Sequence, residues 1–214
     1  MDPVVVAKPP KSPAKRVVPP KPVLSAVVVL GFVGMLYVVE AFDTLVGHSL
    51  DNDGVIPRDF TQWDNLLWYP MLHGGWGHLT GNAGPLLVLA YLAMSGGIKQ
   101  FLQVTAVIWL TGGLGVWLIG SDGVHIGASG LVFGYLAFLL VRGIFARSVL
   151  QILIAVVVFA LYGWALWGVL PGQPGISWEG HLFGALGGVL AAWGVARDAR
   201  KVKAKPALPG NLAV

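Results

Sequence analysis

The sequence predicts an all-α, polytopic membrane protein, a bundle of six transmembrane helices with both termini in the cytoplasm. Three observations carry that prediction. The 214 residues are 56% hydrophobic and only 11% charged, with a mean hydropathy of +0.73. Soluble domains carry roughly 25% charged residues, so this chain lacks the polar surface to face water alone. Apolar runs long enough to cross a bilayer recur six times, and the links between most of them are short. The charges sort by side. With the N-terminus placed inside, the inner segments hold every Lys and Arg except Arg58, thirteen of the fourteen. All acidic residues but Asp2 and Asp198 fall outside. The basic pI of about 9.5 thus reports topology and no nucleic-acid partner. There is no cysteine, which excludes disulfides, thiolate metal sites and a cysteine nucleophile.

Residues 1–22 hold seven of the fourteen prolines and five basic residues, and read as a disordered basic tail beside anionic lipid heads. The first apolar run, Val23 to Val39, lacks a small-x-small cleavage site and reads as a retained span. Residues 46–72 are polar, with Phe60, Trp63, Trp68 and Tyr69 interleaved, as expected of a loop at the membrane interface. Further runs lie near 77–95, 100–119, 127–144, 148–169 and 180–197. Arg142 and Arg147 fall in the fourth link, and residues 198–214 form a basic C-terminal tail. The expected organisation is a tail over 1–22, a membrane domain over 23–197 and a tail over 198–214.

Polar groups inside spans are costly and call for a reason. Three clusters stand out, all at the outer ends of even-numbered spans. In HGGWGHLTGN (73–82), His78 and Asn82 are four apart and share a helix face, with His73 at the junction with the loop. In HIGASGLVFG (125–134), Ser129 opens the fourth span between Gly127 and Gly130. In WEGHLFGALGG (178–188), His181 opens the sixth span beside the stripe Gly180, Gly184 and Gly188. Each cluster has a bland reading: His and Asn join helices by hydrogen bonds, and small residues let helices pack closely. Together they supply a nucleophile, a proton acceptor and oxyanion donors, the inventory of acyl transfer. Zinc on His73, His78 and His181 is a weaker reading, because no HExxH and no carboxylate at ligand spacing accompany them. No cofactor and no metal are expected.

With these motifs in this order, the chain resembles the rhomboid family of intramembrane serine proteases over roughly residues 23–197. The stretches GVIPR and LHGGWGH resemble those of bacterial rhomboids, which implies the plasma membrane. The resemblance implies a Ser129–His181 dyad and an oxyanion hole from the Ser129 N–H, His78 and Asn82. It implies supporting roles for His73, Gly127, Gly130, Phe133 and Gly184, and single-span membrane proteins in the lipid bilayer as substrates. Two positions depart from the family pattern. Phe133 stands where a tyrosine often stacks on the catalytic imidazole. Asp64 and Asn65 replace a Trp-Arg pair in the first loop, which puts the anchoring of that loop in question. Two other functions fit the residues alone: a binder of membrane proteins without hydrolysis, and a small transporter relaying protons through its histidines.

Overall fold

The computed structural model describes residues 15–204. Six α-helices follow one another: α1 (Pro22–Leu45), α2 (Trp76–Ala93), α3 (Ile98–Ile119), α4 (Ser129–Ala146), α5 (Val149–Tyr162) and α6 (Trp178–Ala204). Short 3-10 turns join them, and the described residues hold no strand beyond one isolated bridge, Val55 with His125. Among the described residues, four segments are long and apolar enough to cross a membrane: Pro22–Leu45, Ile98–Ile119, Ser129–Ala146 and Val149–Val169. The helices α2 and α6 fall outside that group for a physical reason. His78, Asn82 and Pro85 dilute the first, and the second holds Glu179 and His181 at its start and Arg197, Asp198, Arg200 and Lys201 near its end.

The chain is arranged around α4, which packs on α6, α5, α2 and α3. Two thirds of its span is buried, against about a fifth of α1 and of the α5 segment. Leu131, Tyr135, Leu136 and Phe138 of α4 meet Leu79, Leu86 and Leu89 of α2 and Ile108 of α3 in one core. Outward faces stay apolar, as with Val23, Val27 and Val38 on α1 and Val156, Val157 and Phe159 on α5. In water such a surface would drive association, and in a bilayer it is solvated by lipid tails.

The pairing of α4 with α6 is backbone on backbone. A Cβ on Gly184 would collide with the Gly130 carbonyl, and one on Gly188 with that of Gly134. Any side chain there would push the two helices apart, which fixes glycine at both positions.

Several sequence expectations need correction at their edges. The first helix runs six residues past Val39, through Glu40 and Asp43, because nothing breaks it before Gly47. The last helix continues to Ala204, so the boundary expected at 197 falls inside a helix. Arg142 is no loop cation. It sits within α4, 4% exposed, its Nη1 bonded to Ser95 Oγ at 2.5 Å and its Nη2 donating to the Arg16 carbonyl at 3.1 Å. Gln151 Nε2 donates to the same carbonyl at 2.9 Å, and Pro19 is buried, so residues 15–21 dock on the bundle. The remaining tail residues, 1–14 and 205–214, lie outside the described residues.

The loop before α2 is tied down by polar bonds. Asn65, buried, donates through Nδ2 to the Gly54 carbonyl at 2.9 Å and to Gln62 Oε1 at 3.0 Å. The Trp109 and Trp117 indoles donate to the Leu66 and Asp59 carbonyls at 2.9 and 3.0 Å. Arg58 reaches across to the Gly120 carbonyl at 2.9 Å and to Asp122 at 3.2 Å. The absence of a Trp-Arg pair therefore leaves this loop anchored, by different residues.

Candidate active site

Ser129 is the first residue of α4. The first N–H groups of a helix have no preceding carbonyl to bond, so those of Ser129 and Gly130 remain available to an anion. Just before it, Gly127 holds a φ of +117°, a conformation that favours glycine. A Cβ at Gly127 would stand 2.8 Å from His78 Nε2 and 3.6 Å from Asn82 Nδ2. Both side chains of α2 are thus brought against the turn that presents Ser129. Asn82 is buried, and its Nδ2 has no hydrogen-bond partner. A buried amide donor left open marks a place where an acceptor belongs.

The histidine tautomers follow from their neighbours. The Gly74 N–H donates to His78 Nδ1 at 3.3 Å, so the His78 proton sits on Nε2, the nitrogen facing Gly127. His181 Nδ1 lies 2.9 Å from the Gly168 carbonyl, which can only accept, so Nδ1 carries the proton and the Nε2 lone pair is free. The Ala128 N–H donates to His73 Nε2 at 3.2 Å. Burial pushes the His73 imidazole down to about 4, the neighbouring His78 acts in the same direction, and the Met71 carbonyl opposes them. His73 is therefore neutral at pH 7, and fixes the turn before Ser129 as an acceptor. The ring nitrogens of His73, His78 and His181 are not among the ligand atoms that the described residues bring within 4.8 Å of one another.

Phe133 stacks on His181, with ring centroids 4.0 Å apart and planes within 10°. One turn after Ser129 in α4, it holds the imidazole flat without a hydroxyl. Gly168 lies against the edge of this stack, where a Cβ would stand 3.0 Å from His181 Nδ1 and 2.8 Å from Phe133 Cζ. Ser129, His181, His78 and Asn82 line one cavity of about 650 Å³. No hydrogen bond joins Ser129 to His181 in the structure.

A second polar layer lies behind these residues, and the sequence motifs do not reveal it. Ser177 precedes α6, and its hydroxyl accepts from the Gly180 N–H at 3.4 Å as an N-cap. His125 Nε2 donates to the Ser121 carbonyl at 2.9 Å, which leaves Nδ1 to accept from the Ser177 hydroxyl at 2.6 Å. Ser121 in turn donates to Glu179 Oε1 from its N–H at 2.9 Å and its hydroxyl at 2.7 Å. The loop after α3 is thereby bound to the first turn of α6, the turn that carries His181. His125 lies four residues before Ser129, and that proximity was the available signal. Its partner 52 residues away was not visible.

The family model of the Rhomboid domain matches residues 61–198, more than half of the chain and the whole of this site. The chain belongs to the rhomboid family. It is a multi-pass membrane protein of a family of intramembrane proteases. Among curated proteins it is 45% identical to the uncharacterized protein Rv1337 of Mycobacterium tuberculosis, over 86% of this chain and 81% of that protein. It is 44% identical to the uncharacterized protein ML1171 of Mycobacterium leprae, over 85% of this chain and 75% of the relative. A more distant relative, 28% identical over 71% of this rhomboid and 73% of its own length, is the Bacillus subtilis protein named "Putative rhomboid protease YdcA". No solved structure matches the chain.

Proposed function

We propose that this rhomboid is an active serine endopeptidase that cleaves transmembrane segments of single-span proteins. Ser129 is the nucleophile and His181 the general base. Three features support the reading together: Ser129 at a helix start, a His181 lone pair directed by the Gly168 bond, and the unsatisfied Asn82 amide beside it. The last carries the most weight, since it has no structural use. His181 Nε2 takes the hydroxyl proton as Ser129 Oγ attacks the scissile carbonyl. The tetrahedral oxyanion accepts from the Ser129 N–H, His78 Nε2–H and Asn82 Nδ2–H. Collapse expels the amine, which receives the proton from His181. Water then repeats the sequence on the acyl-enzyme. The Ser129–His181 hydrogen bond forms with substrate in place, since catalytic pairs often tighten only in the Michaelis complex.

In this reading the membrane domain spans 23–197 and crosses the plasma membrane six times, with the tails inside. The cavity faces the outer side, where water can enter. Substrates unwind locally there, because a hydrogen-bonded helix shields its carbonyls. The reaction needs no metal. The test is cleavage of a model transmembrane substrate in liposomes by wild type, Ser129→Ala and His181→Ala. Product from wild type alone supports the dyad. Cleavage by Ser129→Ala contradicts it, and tight binding without product in wild type would instead favour a membrane-protein binder.

A further inference from the structure

At the C-terminal end of α1, three carboxylates and an imidazole gather that the peptidase mechanism does not use. Gly47 and His48 both adopt left-handed conformations, with φ of +71° and +60°. The chain therefore folds back on the helix, and His48 and Asp51 return to Asp43. His48 Nδ1 lies 3.4 Å from Asp43 Oδ2 and 4.0 Å from Asp51 Oδ2. One ligand atom from each of Asp43, His48 and Asp51 falls within 4.8 Å of the others. Two donors on opposite sides of an ion at metal-ligand distance stand about 4.2 Å apart, so a small side-chain rotation closes the set. Asp43 is already oriented for this, because its Oδ1 accepts from the Leu50 N–H at 2.8 Å and leaves Oδ2 to the cluster.

A second observation points independently to a ligand. Glu40, one turn before Asp43 on the same face of α1, is 1% exposed, and neither of its carboxylate oxygens has a hydrogen-bond partner. Its electrostatic neighbours are Asp43, Asp51 and His48. Oδ1 of Asp51 is likewise buried without a partner. Burying several carboxylates together with only one imidazole to answer them is costly, and a bound cation removes that cost. Half of the His48 side chain remains open to water and provides the entry path.

We propose that Asp43, His48 and Asp51, with the buried Glu40 carboxylate beside them, bind one divalent transition-metal ion, Mn²⁺ or Zn²⁺. The donor set makes the choice: carboxylates suit hard ions, and the imidazole nitrogen favours a transition metal over Ca²⁺, which takes oxygen ligands. This departs from the expectation that the chain holds no metal, and it is separate from catalysis, which uses other residues. The ion clamps residues 46–53 to α1.

The test uses purified full-length protein in detergent, stripped with chelator and then titrated separately with Mn²⁺, Zn²⁺ and Ca²⁺. Thermal unfolding and bound metal by mass spectrometry are read together. One Mn²⁺ or Zn²⁺ per chain, with Tm raised by several degrees, is expected. Glu40→Gln with Asp51→Asn should weaken binding at least tenfold. Having lost the carboxylate repulsion, it should melt higher than metal-free wild type. His48→Gln should also bind at least tenfold more weakly, and Asp122→Asn, whose carboxylate is exposed, should bind as wild type does. Stoichiometric Ca²⁺ alone, no metal at all, or equal binding by the double variant would each overturn the proposal.

Discussion

The α4–α6 seam and the loop before α2 both serve the site, yet they are built from opposite materials. The seam is glycine against glycine, with Gly184 on the Gly130 carbonyl and Gly188 on that of Gly134. The loop is held by side-chain hydrogen bonds from Asn65, Trp109, Trp117 and Arg58. A backbone contact has no slack, and the seam sets the spacing between Ser129 and His181. A polar network can lose one bond and keep its path. Changes at the seam should therefore reach chemistry, and changes in the loop should reach stability first.

The largest effect belongs to the two residues at the N-terminal end of the seam. Ser129→Ala and His181→Ala should each lower turnover by about 10⁴-fold or more while the protein still folds, as seen where a nucleophile or its base is removed. Turnover of a fluorogenic transmembrane substrate measures it. Next, Asn82→Ala should cost about 10²–10³ in kcat with little change in KM, the range for one oxyanion donor. A pure helix-joining role for Asn82 would show as a lower Tm at unchanged kcat. Gly184→Ala should destabilise by about 1–3 kcal/mol through overpacking and also lose activity, which would separate it from a loop variant. Asn65→Ala strips a buried pair of bonds and should cost about 1–3 kcal/mol in thermal unfolding, with kcat near wild type for the protein that remains folded.

The smallest effect is a pH dependence. Burial holds His73 near 4, below its ordinary value of 6.5, so the unfolded chain binds its proton more readily. Its contribution to stability is whole above about pH 6.5 and declines as the pH falls toward 4. The melting temperature should fall over that window, and less steeply in His73→Asn.

The site was legible because a bilayer tolerates few polar groups. Ser129, His78, Asn82 and His181 stood out against apolar runs, and the structure brings all four to one cavity. Gly184 was legible from its four-residue spacing, although its contact with the Gly130 carbonyl was not. What escaped were partners distant in sequence that donate or accept through backbone. Gly168 orients His181 with a carbonyl, which any residue could supply, and so leaves no signature. Asn65 looked like a departure from a family pattern and proves to be the anchor. Helix ends were misplaced where charge and helicity diverge, because Glu40 and Asp43 end an apolar run without ending a helix.

The central claim is that Ser129 is a nucleophile activated by His181. Labelling of the purified protein by a serine-directed fluorophosphonate or isocoumarin probe tests it most directly. The account predicts stoichiometric labelling of wild type at Ser129, and none in Ser129→Ala or His181→Ala. Labelling that persists in Ser129→Ala, or a wild type that never labels while cleaving nothing, would contradict it.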